Sequence, residues 1–251
     1  MQGQTELLTE TQVVENAYEY KFLSDSLVLL KNPVGEDIRS DNTEGESVTH
    51  KTDLSKWLKE HKTGSACYGN TNLVPEFCRA YIKETGKKVL AVHIAKGSTE
   101  IHQWLPGTDG YDIIVKKASA AIKKADKADK IYFVWLQGES DAIFRKSKAY
   151  YKEKITALND ALKNDLGIDK FGVIRIGRFT KDERDFEIID AQTEICEENS
   201  DFLMLTEIAQ EINENPRFMN PYVGGHYSAE GLELLGSLSG EALGKYRNSG
   251  V

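Results

Sequence analysis

Cysteine is scarce in this chain: Cys67, Cys78 and Cys196 are the only three among 251 residues. So few, so scattered, cannot build a disulfide framework or a zinc knuckle, and the core must be held by packing alone. No apolar run approaches the ~20 residues needed to cross a bilayer. The first residues, MQGQTELLTETQ, lack the basic start and apolar stretch of a signal peptide. Positive charge is also in deficit, with 32 Lys and Arg against 40 Asp and Glu, a net −8. An acidic surface repels polyphosphate, which argues against a nucleic acid or an anionic membrane as partner. There is no internal repeat, low-complexity tract or linker. Together these absences exclude collagen-like, disulfide-scaffold and largely disordered chains, and a cytoplasmic setting is the expectation.

What remains is a chain with 40% hydrophobic residues, enough for one globular domain spanning residues 1–251. From residue 70 onward, strand-like and helix-like segments alternate. Leu73, Phe77, Tyr81 and Ile82 predict a helix over 72–85 that stops at Gly86. VLAVHIA (89–95) and IYFVWL (131–136) read as buried strands. Tyr111, Ile114, Val115, Ala118, Ala121, Ile122 and Ala125 form one stripe of a helix over 109–126, and the lysines at 116–130 read as its solvated face. Further helices are expected over 145–166, ending at Gly167, and over 180–198 and 229–246. Strands are expected at 173–176 and 202–205. Strands without strict alternation, separated by helices, predict an α/β fold: a three-layer sandwich around a mainly parallel sheet. The first 66 residues differ. Alternation around residues 16–37 suggests an antiparallel excursion, and the polar stretch 36–66 reads as a loop with one short helix near Trp57. The strand that normally opens such a sheet at its centre is missing, since no strand precedes about Tyr18.

In open parallel sheets, ligands sit beyond the carboxyl ends of the strands, so the residues following each strand carry the chemistry. Three clusters stand there: Lys96 to Trp104, Gln137 to Ala142, and Asn220 to Ser228. Gly97 would let a backbone N–H approach a developing oxyanion, and Gln137 offers a neutral amide donor to the same oxygen. Glu139 could orient an imidazole, and His226, on a glycine-preceded loop, could act as general base. Oxyanion donors, a base and an orienting carboxylate are three of the four parts of a serine esterase. Trp104 and Trp135 read as packing residues. His93 falls within a predicted strand and His102 on a rim. Neither has metal-ligand spacing, and no metal or cofactor is expected.

The strings GSTEIHQW, WLQGESDA and GHYSAEGLELLG resemble the blocks of the SGNH-type sialate O-acetylesterase family, related to the acetylxylan esterases of carbohydrate esterase family six. The resemblance runs from about Ala17 onward, and QGESDA is its specific part. It implies an SGNH, flavodoxin-like fold and hydrolysis of O-acetyl esters on a carbohydrate. It also implies His226 as base, Glu139 as the acid, Gly97 and Gln137 as the oxyanion hole, and Ser98, Thr99 and Trp104 as substrate contacts. The family's opening strand ends in G-Q-S-N-M, whose serine is the nucleophile. Here the chain begins Met1-Gln2-Gly3, as though Met1 were the methionine of that block. The expectation is therefore a chain truncated at its N-terminus, inactive as it stands, with export left open and room for a homo-oligomer at the exposed strands. Leu136 replaces the histidine of the family's W-H-Q-G-E-S-D-A block, Val223 the aspartate of D-x-x-H, and Ser98 the second glycine of GGT.

Two rival readings use other residues. Gly138-Glu139-Ser140-Asp141-Ala142 approximates a G-x-S-x-G nucleophile elbow, with Ser140 attacking, His226 as base and an aspartate such as Asp190 orienting it. A helix beginning only several residues later argues against that elbow. The other rival is a non-catalytic glycan-binding protein or esterase remnant.

Overall fold

The computed structural model describes residue 5 and residues 12–22, 24–35, 71–221 and 224–250. The loop and short helix expected over 36–66 lie outside these residues. The chain divides into two compact units, residues 1–97 with 215–251, and residues 98–214.

In the first unit, β1 (Ala17–Lys21) pairs antiparallel with β2 (Ser26–Leu29) and parallel with β3 (Val89–Ala91). The hairpin is the expected antiparallel excursion. β3 is shorter than predicted, so His93 lies beyond the strand rather than in it. Val14, Ala17, Leu30, Val34, Cys78 and Ala91 form the core. Helix α1 (Val74–Thr85) ends at Gly86, whose φ of 65° supplies the left-handed cap expected there. It packs on the C-terminal helix of the chain (Ala229–Asn248) through Gly236, Gly240 and Gly244, spaced four apart on one face.

The second unit is α/β, with parallel strands flanked by helices. The sheet runs β4 (Tyr132–Trp135), β5 (Lys170–Ile174), β6 (Phe202–Thr206), all parallel. β5 is central and buried along its length after Lys170. Gly172 leaves room for Leu205, whose Cδ1 would lie 2.7 Å from any added Cβ. Phe133, Trp135, Phe171 and Phe202 form a continuous aromatic seam across the strands, with neighbouring centroids 5.0 to 6.4 Å apart.

The helices of this unit are α2 (Asp109–Lys124), α3 (Glu139–Ile143), α4 (Lys148–Leu166), α5 (Arg184–Glu198) and α6 (Ala209–Glu214). The C-terminal helix (Ala229–Asn248) of the first unit is α7. In α4, Tyr151, Ile155, Leu158 and Leu162 are buried as their spacing predicts, and Gly167 caps the helix. The helix starts at Lys148 rather than 145, because the Ser147 side chain accepts the Tyr150 N–H. The solvated lysine face on α2 needs one correction. Lys117 is wholly buried, since it shares the stripe of Ile114 and Ala121 at i+3 and i−4.

Candidate active site

The carboxyl end of β4 delivers Leu136, Gln137 and Gly138 directly into α3. Gly138 makes that junction possible. Its φ of 147° is rarely open to other residues, and a Cβ there would lie 2.7 Å from Ile188 Cγ2 on α5. Gln137 is buried, and its amide is fully engaged. Nε2 donates to the Thr99 carbonyl at 2.9 Å and to Asp141 Oδ2. The Tyr151 hydroxyl stands 2.8 Å from the Gln137 carbonyl oxygen and 3.2 Å from its Oε1. Gln192 Nε2 donates to that carbonyl at 2.8 Å and lies 3.0 Å from the Tyr151 oxygen, while Trp135 Nε1 lies 3.2 Å from it. Gln192 Oε1 accepts the Ile176 N–H. Burial, above all, drives the Tyr151 hydroxyl far above its ordinary range.

Removing this hub should be costly. Tyr151→Phe leaves the Gln137 oxygens, the Trp135 N–H and the Gln192 amide short of a partner in a dry interior. A loss of ~2–3 kcal/mol of unfolding free energy is expected. Urea denaturation of the variant beside the parent chain measures it.

Asp141 is 0% exposed. Its Oδ2 accepts the Ile101 N–H at 3.0 Å as well as the Gln137 amide. Burial raises its pKa from 3.8 to about 6, opposed by the hydrogen bonds from Gln137 and Ile101. The loop that supplies Ile101 opens at Ser98, whose φ of 58° is left-handed. That conformation suits the glycine for which Ser98 substitutes in the resembling block. Thr99 Oγ1 accepts the indole N–H of Trp104 at 3.1 Å, and Trp104, 4% exposed, stands edge-on to Trp135 at 5.9 Å. Glu100 caps the 3-10 turn Ile101–Trp104 through a reciprocal pair with Gln103, and pairs with Lys146 at 2.9 Å. Gly97, half-buried, ends the first unit, and its φ lies outside the left-handed region.

His226 belongs to the first unit. Its loop is closed by the antiparallel bridge of Met219 with Tyr227, and by hydrogen bonds from Asn220 N to the His226 carbonyl and from Ser228 N to the Phe218 carbonyl, each 2.8 Å. His226 Nδ1 lies 2.9 Å from the Gly224 carbonyl. A carbonyl only accepts, so Nδ1 carries a proton in this contact, and in the neutral ring the lone pair falls on Nε2. A backbone carbonyl thus orients the ring in the way a neighbouring acid otherwise would. Val223, the position read as having lost that acid, lies outside the described residues.

A model of the family described as "Carbohydrate esterase, sialic acid-specific acetylesterase" matches residues 44–221. The chain belongs to that family. Membership supports carbohydrate acetylesterase function in general terms, and the match takes in Gly97 to Trp104 and Gln137 to Ala142 but ends before His226. A crystal structure of a protein from Arabidopsis thaliana has the same fold class. It is 16% identical, with a TM-score of 0.57, and the alignment covers 96% of this chain and 82% of that one. No curated protein matches the chain.

Within this member of the family, the second unit gathers Ser98, Thr99, Trp104, Gln137, Glu139 and Ser140 around the carboxyl end of β4. Glu139 is the half-buried first residue of α3. Ser140 follows it, and here the structure corrects the expected late helix: α3 begins at once after Gly138. Ser140 nevertheless lacks an elbow's strained turn, because its φ is negative and the unusual conformation falls on Gly138. Asp190, the elbow's proposed partner, is exposed on α5. Among the described residues no cluster of His, Cys, Asp or Glu could hold a metal, and no helix is long and apolar enough to cross a membrane. Sequence reasoning missed Asp141, Tyr151 and Gln192 as members of the site. Asp141 had a signal, being four residues after Gln137 at a helix start. Tyr151 and Gln192 had none, since their contacts to Gln137 span 14 and 55 residues.

Proposed function

We propose that this chain is built to hydrolyse O-acetyl esters on a carbohydrate, sialic acid being the substrate class that the family description suggests. The observation that carries the reading is the Gln137-Gly138-Glu139 segment, held rigidly at the carboxyl end of a parallel strand by buried hydrogen bonds. In this scheme a serine attacks the acetyl carbonyl and His226 Nε2 takes its proton. The imidazolium is stabilised by a carboxylate, for which Glu139 is the candidate. Gly97 N–H and the Gln137 segment stabilise the tetrahedral oxyanion. Both Gln137 amide protons are engaged by Thr99 and Asp141, so a direct donation requires one of those bonds to yield. Otherwise Gln137 acts by positioning the 98–101 loop.

Ser140 is not the nucleophile of this scheme. In the 251-residue chain, Ser140→Ala should accordingly leave any turnover of 4-nitrophenyl acetate unchanged. Release of acetate from O-acetylated sialic acid should be lost with His226→Ala. Robust turnover by residues 1–251 that vanishes with Ser140→Ala would overturn the scheme in favour of Ser140.

A further inference from the structure

Asp141 is more than a short helix requires. α3 has five residues, and a buried carboxyl in it carries a desolvation cost that a neutral side chain avoids. Its two oxygens are used unequally. Oδ2 takes the Ile101 N–H and the Gln137 amide, while Oδ1 is buried with no hydrogen-bond partner. Through Oδ2 the carboxylate joins three pieces of chain: the residues after β4, the start of α3 and the 98–101 loop. The same Gln137 amide grips the Thr99 carbonyl, which closes the tie.

We propose that Asp141 is a positioning residue of this site: its ionised carboxylate clamps the Gln137 amide and the Ile101 N–H to one point, and acid loosens the clamp. The proton would go to Oδ1, the oxygen that receives no bond. The two bonds at Oδ2 then lose their charge assistance, roughly half of their strength. The charged and titratable neighbours are known from each packed element. Glu100 and His102 act on Asp141 from the 3-10 turn, disfavouring and favouring its charge respectively. Lys146, following α3, and Tyr151, on α4, also feel the Asp141 charge, and Glu139 shares its helix. Burial outweighs them all and sets the midpoint near 6.

The pH dependence of stability has a definite sign. The folded carboxyl binds its proton near 6, against 3.8 for the ordinary group. Between those values the folded chain holds more protons than the unfolded one. Stability therefore falls as pH rises through the window, and the penalty is complete above it.

The effect on turnover rests on the acetylesterase reading, but the clamp is measurable without it. In the isotope-labelled 251-residue chain, the Ile101 amide and Gln137 side-chain resonances should titrate together with a midpoint near 6. Asp141→Asn should abolish that titration. Gln137→Leu, which removes a bond that favours the charged form, should move the Ile101 midpoint upward. Relative to Asp141→Asn, the parent chain should lose melting temperature between pH 4 and pH 7. A parent midpoint below about 4.5, or melting curves that stay parallel across that range, overturns the clamp. In the acetylesterase assay, Asp141→Asn should lower kcat about tenfold with KM within twofold. An inactive parent chain with the titration intact would count against the esterase reading alone.

Discussion

Gly138→Ala is expected to lose ~3–5 kcal/mol of unfolding free energy and to dismantle the carboxyl end of β4. Two independent penalties add. The first is conformational: φ 147° with ψ −15° is open to glycine and costly for a residue with a Cβ. The second is steric. The new methyl would lie 2.7 Å from Ile188 Cγ2 and 3.3 Å from both Ile176 Cγ2 and Gln192 Nε2. Relief by movement of α5 would pull Gln192 from the Gln137 carbonyl, so the damage reaches the polar hub. Chemical denaturation of Gly138→Ala measures the sum. A double-mutant cycle with Ile188→Ala separates its parts, because that change removes the nearest contact and leaves the φ penalty in place. A loss below ~1 kcal/mol would mean that the junction tolerates a Cβ and that its geometry is not imposed by Gly138.

The second large effect lies in the first unit and opposes what helix propensity predicts. Glycine inside a helix is ~1 kcal/mol worse than alanine, so Gly240→Ala on α7 would stabilise an isolated helix. In the folded chain a Cβ at Gly240 would press on the Phe77 carbonyl, and one at Gly236 on the Leu73 carbonyl, both rigid backbone of α1. At Gly244 the nearest atom is Glu84 Cβ, at 2.6 Å. The three glycines let α1 and α7 approach more closely than any side chain permits. Gly240→Ala should therefore destabilise despite its propensity gain, and Gly240→Leu should cost ~3 kcal/mol or more by forcing the helices apart. Thermal and urea denaturation of both variants decide the sign. A stabilised Gly240→Ala would show that the helix pair can separate cheaply.

Much of the fold was legible because its helices are long enough for periodicity to speak. Tyr151, Ile155, Leu158 and Leu162 occupy the inner face that their spacing demands, and Gly86 and Gly167 end their helices by the left-handed cap. The failures are local. α3, with five residues, is too short to show a period, and its start at Glu139 was missed. β3 stops at Ala91 although apolar residues continue to Ala95, because apolar character permits a strand but only a pairing partner makes one. Lys117 was assigned to solvent by its charge, although its position in the 114–117–121 stripe placed it inside.

The same division holds at the site. The residue types at QGESDA were readable, because local chain chemistry specifies a turn and its neighbours, whereas the need for glycine at 138 emerged only from its φ of 147°. Gln137 was read as an open donor, and only the folded chain decides that its amide is already bound by Thr99 and Asp141. Likewise, only the fold buries Asp141 and closes Tyr151 and Gln192 over the Gln137 carbonyl. By itself the sequence determined the α/β alternation, the glycine-capped helix ends and the QGESDA segment, since each depends on residues within a turn or two of one another. Which carboxyl is dry, which amide is free and which glycines separate two helices were decided by tertiary structure. Those properties arise from side chains brought together across tens of residues, where dielectric and contact distance have no trace in local spacing.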